Sequence, residues 1–195
     1  MRLILVRHGE TEENVAGILQ GQTPGVLTAA GIDQARKLAL RLKDEKIDFI
    51  YSSDLKRASD TAEAIAAFHL SVPFELTPLL RERSLGDLHG FQVPAGENMH
   101  VYSDGIIDPP NGETFPQMAE RAEKFFHEIL GKHHSQTVLC VAHNGFNRTF
   151  MSFLMKKNRE DVQRQPNTAV NIFEIDESRN CTVSLLGCVK HLQLS

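Results

Sequence analysis

No stretch of this chain approaches the ~18 consecutive apolar residues that span a membrane. The first apolar run, residues 3–6, is only four long and leads straight into a polar motif, so no signal peptide is expected. Cysteine is scarce. Cys140, Cys181 and Cys188 are odd in number and lack CxxC spacing, which disfavours a disulfide framework and fits reduced thiols in a cytoplasmic protein. Basic residues are not in excess: 21 Lys and Arg against 25 Asp and Glu give a net charge of −4, which argues against a general nucleic-acid binder. None of the nine histidines stands in HExxH or another tight ligand spacing, so no metal site is expected. What is present is ordinary soluble composition over 195 residues, enough for one α/β domain with a sizeable core, without repeat or linker.

Leu3-Ile4-Leu5-Val6 reads as a short buried strand ended by Gly9, which leaves Arg7 and His8 at its carboxyl end. Open α/β sheets bind ligands there. Residues 12–27 read as loop. Thr28 caps a helix whose Ile32, Ala35, Ala39 and Leu42 recur at 3,4,3 spacing. Residues 47–51 form a second strand, and Ser52, Ser53 and Asp54 offer caps to a helix burying Leu55, Ala58, Ala62 and Ile65. Arg57 falls in that helix's first turn, where unpaired N–H groups already favour an anion. Residues 72–80 look extended, limited by Pro73 and Pro78 to an edge strand. Residues 84–113, with five glycines and three prolines, read as an irregular, lid-like span. A helix over about 114–133 buries Met118, Ala122, Phe125 and Ile129, with His133 and His134 as solvated partners of its dipole. Residues 138–142 are another strand, with Cys140 in the core, followed by His143-Asn144-Gly145 and a helix carrying Phe146, Phe150 and Phe153. Strands at 169–175 and 182–186 follow. The alternation predicts a three-layer α/β sandwich, a mostly parallel sheet with helices on both faces.

Arg7, His8, Arg57, Glu82 and His143 thus fall at strand or helix ends. A phosphate monoester is a dianion whose transferred group passes through a loose transition state with charge on three equatorial oxygens. Two arginines suit those oxygens because a planar guanidinium binds two at once and keeps its charge. A neutral imidazole can attack phosphorus and divide the reaction through a covalent intermediate. A second histidine can hold an oxygen, and a carboxylic acid can protonate the leaving group and later take a proton from water. Blander roles compete: a solvated Arg57, a surface ion pair for Glu82 between Arg81 and Arg83, a core His143, and a Glu10 that merely orders its loop.

The ordered motifs resemble the histidine phosphatase superfamily, whose best-known branch is the cofactor-dependent phosphoglycerate mutases. They are Arg7-His8-Gly9-Glu10-Thr11, Asn14, Leu27-Thr28 with Gly31 and Gln34-Ala35, and residues 51–58. Leu80-Arg81-Glu82, Gly86-Asp87, Gly90, Asn111-Gly112-Glu113-Thr114 and Val141-Ala142-His143-Asn144-Gly145 continue the series. The resemblance implies a phosphoglycerate mutase-like fold and a metal-independent phosphomonoester hydrolase without cofactor. It implies His8 as the phosphorylated nucleophile, Arg7, Arg57 and His143 as the phosphate pocket, and Glu82 as proton donor and acceptor. Asn14, Gln20 and Gly21, with Asn144 and the backbone after His143, would complete the phosphate contacts. A mutase, a protein phosphatase and a non-catalytic phosphate-binding protein are the alternatives.

No Lys or Arg lies between Arg83 and Arg121, whereas mutases of the superfamily carry basic residues there for a second anionic group. Leu85 stands where they have tyrosine. Unless Arg81, Arg83 or Arg148 turns inward, a small phosphorylated metabolite with a neutral or weakly anionic leaving group is expected. Thr23-Pro24-Gly25-Val26 departs from the family's aspartate-Pro-Leu-Thr, and Leu88-His89 from its Trp-Glu. His89 and His100 are candidates for pH-dependent positive charge in the lid.

Overall fold

The strand residues alternate between two buried faces. Leu3 and Leu5 of the first strand enter one apolar cluster, Ile4 and Val6 the other. A strand apolar on both faces belongs in the middle of a covered sheet, and that is its place. The computed structural model describes residues 1–193, the side chain of His100 excepted, so what was expected of that histidine lies outside the described residues.

The chain runs β1 (Arg2–Arg7), α1 (Glu12–Ala16), β2 (Ile18–Leu19), α2 (Ala29–Leu42), β3 (Phe49–Ser53), α3 (Lys56–Ala66) and β4 (Phe74–Thr77). It continues through β5 (Phe91–Gln92), α4 (Met99–Gly105), α5 (Phe115–His133), β6 (Thr137–Ala142), α6 (Asn144–Met155), β7 (Val170–Ile175) and β8 (Cys181–Cys188). Six strands form one sheet in the order β4-β3-β6-β1-β7-β8. The first four of these are parallel, and β7 and β8 are antiparallel additions. Helices α5 and α6 cover the face of Leu3 and Leu5, α2 and α3 the face of Ile4 and Val6. The fold is the mostly parallel three-layer α/β arrangement. Among the described residues no helix is long and apolar enough to cross a membrane.

Four local expectations are corrected. Ile32 is 60% exposed, and Leu38 takes its place in the buried stripe with Gly31, Ala35, Ala39 and Leu42. The reason is Gly31: a Cβ there would stand 2.0 Å from the Glu10 carbonyl oxygen, so this glycine faces inward and turns Ile32 out. Residues 12–27 are not all loop. Thr11 and Asn14 exchange side-chain and backbone bonds in a capping box that starts α1, with Asn where Glu or Gln is the usual signal. Residues 84–113 contain β5, which pairs with β2, and α4, both over a small cluster of Leu19, Leu85 and Val93. His133 is buried, with Nε2 3.0 Å from the Tyr51 hydroxyl and Nδ1 2.6 Å from Gln136 Oε1.

Candidate active site

Because β1 and β6 are parallel neighbours with Arg7 opposite Ala142, the residues that follow them emerge side by side. The His8 N–H donates to the Ala142 carbonyl at 3.0 Å, and the rings of His8 and His143 lie 5.1 Å apart. His8 Nδ1 is 2.7 Å from the Gly9 carbonyl oxygen. A carbonyl only accepts, so Nδ1 carries the proton and Nε2 keeps its lone pair. His143 Nε2 is 2.9 Å from Ser53 Oγ, at the end of β3. The Ser53 hydroxyl also accepts from the Leu55 N–H, and with its own proton turned to His143 Nε2 the donor of that ring is Nδ1. Ser52 and Ser53 are strand residues, and Leu55 is the N-cap of α3, without a side-chain cap bond.

Both arginines are buried. Arg57, 1% exposed, donates through Nη1 to the Thr23 and Pro24 carbonyls and through Nη2 to the Gly21 carbonyl at 2.8 Å. Arg7 donates through Nη1 to the Gln165 carbonyl at 2.6 Å. Burial draws both guanidinium groups down to about 10 against the pull of Glu82, so they remain cations at neutral pH. Burial first, then Arg57 and Arg7, hold His8 and His143 well below the usual imidazole range, so both are neutral. Arg7 Nε, Arg57 Nε and His143 Nδ1 are buried without a partner. Each such orphan costs about 1–3 kcal/mol, and a concentration of them calls for a ligand.

Glu82 follows the turn after β4 and reaches the start of α6. Its Oε2 accepts the Gly145 N–H at 2.8 Å, and its Oε1 accepts the Phe146 and Arg83 N–H groups at 2.9 Å. The helix-start donors expected to serve phosphate are thus held by Glu82. Residue 145 must be glycine for this approach, since a Cβ would stand 2.5 Å from Glu82 Oε1. The backbone of 79–82 is held by Arg121, which donates to the Leu79 and Arg81 carbonyls at 2.8 Å and forks onto Glu113 at 2.7 and 2.8 Å. Arg121→Ala leaves Glu113 and two carbonyls without their cation. A stability loss of about 2–3 kcal/mol is expected in urea melts, with a lower kcat from a loosened Glu82.

Arg7, His8, Asn14, Gln20, Gly21, Arg57, Glu82 and Asn144 line one cleft. His143 is fully buried behind it. Gln20 Nε2 donates to Thr11, Asn14 Oδ1 accepts from Thr11 and Asn167, and Asn144 Oδ1 accepts the Gln165 N–H. Glu10 orders its loop by accepting from the Thr28 hydroxyl. Arg121, Gln165 and Asn167, whose Nδ2 donates to the His8 carbonyl, are supports that sequence reasoning missed, and Ser53, expected as a helix cap, holds His143 instead. Only Asn167, next to a proline in a polar loop, carried even a turn signal.

The charge of the outer cleft is the reverse of the expectation from residues 84–120. Arg83, Arg159 and Arg164 line it with Asp104. Arg159 and Arg164 come from beyond α6, a segment the local charge count did not reach. Arg81 forks onto Asp54 outside the cleft, and Arg148 is buried against Asp104. His89 is no lid cation either. Its Nε2 accepts the Gln22 and Leu85 N–H groups, and burial lowers its pKa.

The sequence model of the histidine phosphatase superfamily (branch 1) matches residues 3–187. The chain is 33% identical over 200 residues to "Phosphoglycerate mutase-like protein 4" of Arabidopsis thaliana, covering 98% of this chain and 86% of that one. It is 34% identical over 186 residues to the "Metal-independent phosphoserine phosphatase" of the same plant, covering 91% and 77%. Among solved structures, Bacillus stearothermophilus YhfR superposes with a TM-score of 0.86 at 29% identity, covering 98% of each chain. A match of this extent, on a sheet that sets two histidines side by side at its parallel strand ends, makes the chain a member of the histidine phosphatase superfamily and a hydrolase.

Proposed function

We propose that the chain hydrolyses phosphate monoesters of small metabolites through a phosphohistidine on His8 Nε2. The supporting observation is the set of buried orphan donors, Arg7 Nε, Arg57 Nε and His143 Nδ1, around a neutral imidazole. A phosphoryl group satisfies all three and is positioned for attack. The Nε2 lone pair forms the P–N bond as the ester P–O bond breaks, and the Gly9 carbonyl at Nδ1 meets the charge gained by the ring. Glu82 Oε1 takes two N–H groups and Oε2 one, so the remaining lone pair of Oε2 is the place for the exchanged proton. It passes to the leaving oxygen, and Glu82 then takes a proton from the water that releases phosphate. Asn14, Gln20 and Asn144 line the pocket for the remaining oxygens, while Gly21 serves through its carbonyl on Arg57. Unpaired cysteines fit a reducing, cytoplasmic setting.

The test is hydrolysis in excess chelator, compared between wild type and Glu82→Gln. Wild type is expected to keep its activity. Glu82→Gln is expected to lose about 10²–10⁴-fold on an alkyl phosphate and much less on nitrophenyl phosphate, whose leaving group needs no proton. Loss of wild-type activity on chelation, or equal losses on both esters, would sink the mechanism.

The pH dependence follows. His8 ionises well below 6.5 in the folded protein, so the nucleophile stays neutral in mild acid. The acid limb of kcat/KM is then expected near the substrate's second phosphate ionisation, about 6. The same lowered values mean that the unfolded chain binds more protons below about 6.5. Stability from the neutral histidines is present above that pH and declines as pH falls, which melts at pH 5 and 7.5 will read.

A further inference from the structure

His191 is buried outside the cleft, in the 3₁₀ turn Lys190–Gln193 that follows β8, and no step of the phosphoryl transfer passes through it. Its partners run back toward His8. Arg41, in the last turn of α2, donates through Nη1 to His191 Nδ1 at 3.1 Å and to the Cys188 carbonyl at 3.2 Å. A guanidinium only donates, so Nδ1 supplies the lone pair and the ring proton sits on Nε2. Nε2 is 3.0 Å from Thr168 Oγ1, and that hydroxyl spends its own proton on the Asn167 carbonyl at 2.8 Å. Burial, and then Arg41, draw His191 down to about 4, so the ring is neutral and every proton in this chain of bonds has one direction.

Thr168 is where the chain of bonds meets the nucleophile. It is fully buried with a φ of 55°, in the left-handed region that a β-branched residue rarely takes and that its surroundings must hold. The turn sends two donors to one acceptor: the Thr168 N–H at 3.3 Å and Asn167 Nδ2 at 3.1 Å both reach the His8 carbonyl. The other end of the same peptide, the Gly9 N–H, donates to Thr61 Oγ1 at 3.1 Å. Gly9 in turn carries the carbonyl that orients the His8 ring. The aim of the ring is therefore set in part by the turn that follows Pro166.

We propose that His191 is a positioning residue for the nucleophile: its Nε2–H pins Thr168 in the left-handed turn that anchors the His8 carbonyl, and so keeps the His8 ring aimed at the transferred group. Phosphate binding itself should not depend on it. Gln165, whose carbonyl holds Arg7, is anchored by Asn144 Oδ1 rather than by Thr168, and Arg57 and His143 belong to α3 and the end of β6.

The positioning role rests on the reading of His8 as nucleophile, and vanadate separates the two. Vanadate bonds to a histidine in a five-coordinate geometry that resembles the transition state, without turnover. In His191→Ala, kcat is expected to fall about ten- to a hundredfold. Calorimetry should show vanadate binding weakened by a like factor, while the dissociation constant of inorganic phosphate stays within twofold. His191→Gln, whose side-chain amide puts a donor near the place of Nε2, should regain most of both losses. Thr168→Val removes the same bond with little change of shape and should repeat the losses, with Thr168→Ser regaining them. Melting temperatures show which variants have folded, and the Thr168 pair carries the test if His191→Ala has not. A folded His191→Ala or Thr168→Val with wild-type kcat, or with vanadate and phosphate weakened alike, overturns the positioning role. So does a glutamine variant no better than alanine. Wild type that binds vanadate, more tightly than His191→Ala does, yet hydrolyses no ester would overturn the phosphatase reading and leave the positioning role standing. Turnover retained in His8→Ala would overturn both.

Discussion

His8→Ala is expected to lower kcat by about 10⁴-fold or more on every phosphomonoester, because under the proposed mechanism it removes the atom that bonds to phosphorus. Nothing nearby can replace it. His143 is fully buried, with Nε2 occupied by Ser53 and Nδ1 the donor. The Gly9 carbonyl fixes the tautomer, so Nε2 of His8 is the one uncommitted imidazole lone pair among the described residues of this site. The measurement is single-turnover trapping with labelled substrate: wild type should yield an acid-labile, base-stable phosphoprotein and His8→Ala none. Residual turnover within tenfold of wild type would end the covalent mechanism.

Arg57→Ala is expected to be the most damaging change outside the nucleophile, and in two separable ways. Its guanidinium donates to the carbonyls of Thr23, Pro24 and Gly21, so the side chain folds the loop that carries Gln20 and Gly21. Truncation strands three carbonyls at about 1 kcal/mol each, a loss of about 3 kcal/mol in urea melts. Under the proposed mechanism it also removes a cation aimed at the transferred group, worth about 10²–10³-fold in kcat. Arg57→Lys should recover part of the stability and little of the activity, since an ammonium cannot serve three carbonyls and a phosphoryl oxygen together. Recovery of wild-type kcat by lysine would show that Arg57 acts through its charge alone.

The sheet and the placement of Arg7, His8, Arg57 and His143 were legible because both signals are local. Apolar runs mark β1 and β6, the central parallel strands, and the polar residues after them mark the end of the sheet at which the cleft lies. Glu82 was found by motif, but its contacts with the start of α6 were not, since they join residues more than sixty positions apart. The outer cleft was misjudged for the same reason. Charge was summed along 84–120, while the arginines that neutralise and exceed Asp104 arrive from Arg148, Arg159 and Arg164. The stripe of α2 was misphased because a glycine's close approach to another backbone does not register in an apolar pattern.

The sheet order has a consequence for how the chain acquires its site. β6 lies between β1 and β3, so until residues 137–142 insert, the two strands that carry His8 and Ser53 have no shared neighbour. On the proposed reading the phosphate-facing groups that follow β1 and β3 come together only through this central pairing, and contacts between such distant segments form slowly. Nascent or truncated chains ending before β6 should not bind phosphate or vanadate. In refolding, such an anion then acts as a ligand of the native state alone, slowing unfolding without hastening the insertion of β6.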